Sequence, residues 1–183
     1  MAHQKLILTY EDYQKLPDNG TRKEILGGEL FVTPAPTPRH QHVVGTLYAA
    51  LKTHIDARRL GEALASPIDV VLSPTDVVQP DIVVIADSRR AIIGEAAIHG
   101  APDLVVEVLS PGTAAIDRGR KMQAYARATV PQYWIVDPEA HVIEVHTLEG
   151  TTYRLVERAE RGAWTPALFP GLMLTLDTLW KLI

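Results

Sequence analysis

The stretch APDLVVEVLS at residues 101–110 decides how the chain is read. Its run of valine and leucine is the pattern of a strand buried on both faces. Glu107 interrupts that run, and an ionised carboxylate in apolar surroundings is costly unless something pairs with it. The segment therefore predicts an interior strand and raises the question of what its acid holds.

Working outward, PDIVVIA (80–86) and ALASPIDVVLS (63–73) read as two preceding strands, the latter as one continuous element. After the Ser110-Pro111-Gly112 break, a helix is predicted from about Ala114 to Ala128. QYWIVD (132–137), HVIEVHTL (141–148) and TTYRLVE (151–157) then read as strands separated by Pro138 and Glu149-Gly150. Upstream, Val44, Leu47, Tyr48, Leu51 and Ile55 form one apolar stripe and predict a helix over Arg39 to Arg58, stopped by Gly61. EIL and ELFV around Gly27-Gly28 predict a hairpin, and TPAPTP (33–38) an extended connection. Thr9, with Asp12 in the capping-box position and Pro17 beyond, predicts a short helix from Thr9 to Leu16. LMLTLDTLWKLI at the C-terminal end reads as a strand leading into a short helix. The central order is helix, three strands, helix, strand. Strands and helices alternate only in part, so the expected class is α/β (α+β) with a mixed sheet, and residues 1–183 are expected to form one domain.

Composition bounds the function. The chain has 183 residues, 46% hydrophobic and 22% charged, and no cysteine, which removes disulfides and thiolate metal sites. A formal charge of −4 argues against an extended basic groove, although RRAI (89–92) and DRGRK (117–121) are locally basic. Apolar runs are too short for a membrane span, and MAHQKLILTYEDYQ lacks the pattern of a secretory leader, so a cytoplasmic protein is expected.

Strand geometry restricts which acids can work together. Asp103 shares a face with Glu107 but lies roughly 13 Å along the strand, too far to share one cation. If strands 80–86 and 102–110 are antiparallel, Asp81 falls across from Glu107, while Asp103 falls beside Ile85. Neighbouring strands are about 4.8 Å apart, close enough for Asp81 and Glu107 to share a divalent ion. Lys121 can reach the same level. Ser110 to Glu107 covers roughly 10 Å of strand, and Ala114 to Lys121 covers roughly 10 Å of helix if the helix folds back.

At this point the sequence resembles the PD-(D/E)XK nuclease superfamily and, more narrowly, the Uma-two-type family of restriction-endonuclease-like proteins. The resemblance is carried by GGEL (27–30), HQHVVGTL (40–47), SPIDVVL (66–72), QPDIVV (79–84), APDLVVEVLSPGT (101–113), DRGRK (117–121) and VPQYWIVDP (130–138). It implies a restriction-endonuclease-like αβββαβ core with an N-terminal hairpin and C-terminal strand additions. It further implies that Asp81 and Glu107 bind Mg²⁺ or Mn²⁺ and that DNA phosphodiester bonds are hydrolysed. The superfamily pattern puts lysine two residues after the strand acid, where this chain has Leu109. The resemblance implies that the lysine has moved to the following helix, as Lys121.

Blander readings stand beside these. Asp81 after Pro80 also suits a turn, Glu107 a structural ion pair with an arginine, and Asp117 with Lys121 a solvated helical pair. Glu29 belongs to the family motif and is a candidate third carboxylate of a two-metal site. His40 is expected as a satisfied structural histidine, or in the sharper reading as a phosphate contact. His42 is expected to face solvent, Asp69 to pair with a base across the sheet, and Asp103 to pin a loop. Trp134 and Tyr125 are read as core. His54, His99, His141 and His146 show no zinc spacing. Two functions follow: a metal-dependent endonuclease, expected as a homodimer if it cuts both strands, or a non-catalytic module of the same fold that binds DNA or protein.

Overall fold

In the computed structural model, which describes residues 6–17 and 19–181, the stretch around Glu107 is a fully buried strand, Leu104–Val108. In chain order the elements begin with α1 (Tyr10–Tyr13), β1 (Arg22–Leu26), β2 (Glu29–Thr33) and α2 (Pro38–Arg58). Next come β3 (Gly61–Ala65), β4 (Val70–Ser73), β5 (Asp76–Val78), β6 (Ile82–Ala86), a 3₁₀ segment (Asp87–Ile92), β7 (Ile98–His99) and β8 (Leu104–Val108). A helical segment follows as α3 (Ala114–Ile116), a π-helical turn (Asp117–Lys121) and α4 (Met122–Arg127). The chain continues through β9 (Gln132–Asp137), β10 (Val142–Glu149), β11 (Thr152–Ala159), β12 (Ala163–Trp164), β13 (Leu174–Thr175) and α5 (Leu176–Leu179). The first five residues of the stretch read for a leader lie outside the described residues.

The main sheet runs β11-β10-β9-β8-β6-β3. It is mixed: β6 pairs β8 antiparallel, and β8 pairs β9 parallel. The helix that follows β8 makes this parallel crossover possible, because a tight turn cannot return a chain in the same direction. The elements α2, β3, β6, β8, the α3–α4 segment and β9 form the expected αβββαβ core.

The N-terminal hairpin is more than an addition. It joins a second sheet, β2-β1-β5-β4-β7, built from it and from excursions between the core strands. The continuous strand expected over 63–73 is accordingly two strands in two sheets, β3 and β4. The break falls at Ser66-Pro67, where the peptide bond is cis and proline has no N–H to give a ladder.

Each face of the main sheet has its own apolar cluster. Ile82, Val84, Leu104, Val106 and Trp134 pack beneath α2 and the C-terminal segment. The opposite alternation, Val83, Ile85, Val105, Tyr133 and Ile135, packs with Tyr125 and the second sheet. On α2 the expected stripe is buried at Val44, Leu47, Leu51 and Ile55, and it widens to include Val43 and His54. Fully burying a leucine or isoleucine contributes about 1.5–3 kcal/mol, so this stripe fixes where the helix begins and what its first turn faces. The helix starts with Thr37 accepting from the His40 N–H and ends at Arg59 in the left-handed region rather than at Gly61. Gly61 has another reason to be glycine: a Cβ there would collide with the Ile85 carbonyl oxygen.

The short N-terminal helix has both capping-box bonds between Thr9 and Asp12 but closes at Tyr13, before Leu16. The C-terminal stretch is a strand leading into a helix, as expected. No described helix is long and apolar enough to cross a membrane.

Candidate active site

The register between β6 and β8 settles the placement of the two acids. Ile82 pairs with Val106 and Val83 with Val105, which puts Asp81, just before β6, across from Glu107. Asp81 closes the ladder with its side chain, since its Oδ2 accepts from the Val108 N–H at 2.8 Å. Both acids belong to the alternation that faces Tyr125 and the second sheet. Asp81 and Glu107 are 3% and 2% exposed.

Lys121 arrives from the other side. The π-helical turn widens the segment there, and Asp117 and Lys121 both point inward, 1% and 3% exposed. The solvated pair that helical spacing allowed is therefore a buried one. Its lysine Nζ lies 2.9 Å from Glu107 Oε1, 2.9 Å from Glu24 Oε1 and 3.5 Å from Asp117 Oδ1. Single π turns of this kind recur at functional sites.

Asp81, Glu107 and Lys121 line one cavity of about 140 Å³, together with Arg22, His40 and Asp117. Part of its wall is the Pro-rich connection, Thr33 to Thr37, and part is the Ser110 to Thr113 turn. His40 is a buried, partnered histidine, as expected, and its partner is a site acid: its Nε2 is 3.1 Å from Asp81 Oδ2, because the cap at Thr37 starts α2 beside the acid. One residue of the sequence reading occupies a different place from that expected. Glu29 does not join the acids. It pairs with Arg120 at 2.7 Å, half-exposed and outside the cavity lining.

The additional carboxylates come from Glu24 and Asp117. Glu24 is buried on β1 and accepts from the Gln79 N–H at 2.7 Å. Arg22, two residues earlier on the same strand, donates to Asp81 Oδ1 at 3.1 Å. Tyr125 is core by burial, but its hydroxyl donates to Glu107 Oε1 at 2.6 Å. The sequence signal for the Arg22 and Glu24 pair was the two-residue alternation along β1, which gives them one face. Nothing in the sequence told which face.

The remaining readings sort cleanly. Asp103 pins a loop, accepting from the Ala86 N–H at 2.8 Å and from Arg89 at 2.9 Å. Among the described residues Asp69 meets no base; it accepts from the Tyr13 hydroxyl at 2.7 Å and the Gln79 amide at 2.8 Å. His42, expected to face solvent, is half-buried on α2. Trp134 is fully buried in the core.

Environment drives the two facing acids apart. Burial, with Asp117, Asp81 and Glu24 nearby, pushes Glu107 up to about 8 despite the Lys121 ammonium. Burial acts the same way on Asp81, but the His40 hydrogen bond and the Arg22 guanidinium outweigh it and hold Asp81 below the usual carboxylate range. Burial opposes the charge on Lys121, yet Glu107, Glu24 and Asp117 raise its pKa and keep it protonated. Facing acids with separated affinities for protons are a recurrent mark of reactive sites.

The donor set suits a hard divalent cation. Four buried carboxylates, on Glu24, Asp81, Glu107 and Asp117, face two permanent cations, Arg22 and Lys121. Two negative charges are left over once all four acids are ionised and His40 is neutral, and among the described residues Asp117 Oδ1 is buried without a hydrogen-bond partner. Oxygen donors and a surplus of two charges match Mg²⁺ or Mn²⁺. Among the described residues no three His, Asp or Glu side chains are already arranged around a common ion position. The protein's own cations hold the acids instead, so a metal entering here would have to exchange partners with them.

A mixed sheet that carries an acid before one strand, an acid within the next and a lysine on the following helix defines the restriction-endonuclease-like class. The family model described as "Putative restriction endonuclease", Uma2, matches residues 10–177, and the chain belongs to that family. The crystal structure of a "putative nuclease" from Anabaena variabilis superposes with a TM-score of 0.77 at 19% identity, covering 94% of this chain and 97% of that one. A likeness at that identity concerns the fold. No curated protein sequence matches the chain.

Proposed function

We propose that the protein is a metal-dependent DNA endonuclease that hydrolyses phosphodiester bonds. The observation that carries this reading is the convergence of Asp81, Glu107 and Lys121, from three separate segments, on one cavity. Asp81 and Glu107 would hold Mg²⁺ or Mn²⁺, which supplies Lewis acidity toward the phosphate and lowers the pKa of water. Lys121, fixed as an ammonium, offsets negative charge developing on the scissile phosphate. Arg22 and His40 hold the Asp81 carboxylate in one orientation, from opposite oxygens. The cavity between the Pro-rich wall and the Ser110 to Thr113 turn, about 140 Å³, leaves room for a phosphate. Cutting both strands of a duplex calls for two such sites, which a homodimer supplies.

Incubating the protein with plasmid DNA and Mg²⁺ or Mn²⁺ tests the proposal. Nicked and linear products are expected from the wild type and are expected to vanish with Asp81→Ala and with Glu107→Ala. Cleavage unchanged in both variants would overturn the assignment. One observation favours the competing reading of a non-catalytic module that binds DNA or protein: Lys121 and Tyr125 already hold Glu107 Oε1. Calorimetric titration separates the two, since a module of that kind takes up no Mn²⁺ while remaining folded.

A further inference from the structure

Strand β1 meets the site with two opposite charges, and their pairing is crossed. Arg22 reaches the acid Asp81, and Glu24 reaches the base Lys121. The lysine ammonium stands at 2.9 Å from Glu24 and at 2.9 Å from Glu107. It therefore has two close berths, one on a proposed metal ligand and one on a carboxylate that does not line the cavity, with Asp117 farther off at 3.5 Å.

Glu24 is fixed independently of the lysine. The same oxygen that meets Lys121 accepts from the Gln79 N–H at 2.7 Å, two residues before Asp81. A cation arriving at Glu107 has to displace the ammonium, and an ammonium left unpaired in so buried a place is costly. From this geometry, and resting on the divalent-ion reading above, we infer that Glu24 is a positioning residue. It receives Lys121 when a metal takes over Glu107, and it keeps the lysine charge beside the cavity for the reaction.

The test is Mn²⁺ titration calorimetry on the full chain, with thermal melting to establish that each variant is folded. Glu24→Gln preserves size and an oxygen for the Gln79 N–H but removes the charge that takes the lysine. Mn²⁺ binding is expected to weaken roughly tenfold, a typical coupling for neighbours in one buried network. In a Lys121→Gln background the same change is expected to have no more than a small effect, since no ammonium needs the berth. Glu24→Asp keeps the charge but shortens the reach, so it is expected to lie near Glu24→Gln rather than near the wild type.

A second readout leaves Lys121 in place. The NMR signal of its ammonium is expected to shift but stay protected from exchange when Mg²⁺ saturates the wild type, and to be lost to exchange in Glu24→Gln. Mn²⁺ affinity unchanged in Glu24→Gln, or an equal loss with and without Lys121, overturns the inference and leaves the metal reading standing. A wild type that binds no Mn²⁺ overturns both.

Discussion

Glu107 should make the metal-free protein less stable as the pH rises, and removing its charge should reverse that. In the folded protein its carboxyl is raised from 4.5 to about 8, chiefly by burial. Between those values the native state keeps a proton that the unfolded chain has released. Stability is then fully present below about pH 4.5 and falls with rising pH until the folded-state value is passed. Each pH unit in that window costs about 1.4 kcal/mol, so the full window costs up to about 5 kcal/mol. Asp117, also raised by burial, adds to the same trend. Asp81 acts the other way, but its lowered pKa confines its contribution to more acid conditions.

The perturbation is Glu107→Gln, which retains an oxygen for Tyr125 and leaves Lys121 with Glu24 and Asp117. Urea unfolding in EDTA at pH 5.5 and pH 8 measures the effect. The wild type is expected to lose several kcal/mol between the two, and the variant much less, so that the variant is the more stable protein at pH 8. Added Mg²⁺ at pH 8 is expected to stabilise the wild type alone. A wild type equally stable at both pH values, or a variant less stable than the wild type at pH 8, would refute the reasoning.

Two further outcomes separate structural acids and hydroxyls from those of the site. Asp103→Ala leaves the Ala86 N–H and Arg89 without their partner, and is expected to lower stability by about 1–3 kcal/mol, read by urea melts, with plasmid cleavage unchanged. Tyr125→Phe removes a donor to the Glu107 carboxylate, which favours the protonated acid. Its cleavage rate is expected to need a higher pH to reach its plateau than the wild type does, as a pH–rate profile would show.

The part of the fold legible in the sequence was the part governed by local periodicity. The run in β8, the Thr9–Asp12 cap and the apolar stripe of α2 each report on neighbours within a few residues, and each is present. The opposition of Asp81 and Glu107 follows from strand spacing given the antiparallel pairing of β6 and β8. What stayed hidden was the second sheet. Its strands β4, β5 and β7 are short, and β4 was read as the continuation of β3 because a valine run persists past Pro67. With the sheet hidden, nothing in the hairpin stretch marks Arg22 or Glu24 as site residues. Glu29, at the start of the next strand, was chosen as the third acid only because the family motif contains it.

On the proposed function, the second sheet explains how a lysine borne by the helix can serve the site. With Leu109 in the strand position, the positive charge would come from a helix, where a side chain has more freedom than on a strand wedged between neighbours. Two features remove that freedom. The π-helical turn brings Asp117 and Lys121 inward together, and β1 supplies Glu24 from the opposite side. A lysine with three carboxylates around it costs folding energy, because more negative than positive charge is buried with it. Under the proposed function that cost is offset where the acids are useful, since Asp81, Glu107 and Asp117 line the cavity in which a divalent cation would sit. On that reading the buried carboxylates and the helix-borne lysine are two aspects of one arrangement, and the pH dependence of stability is where it becomes measurable without any substrate.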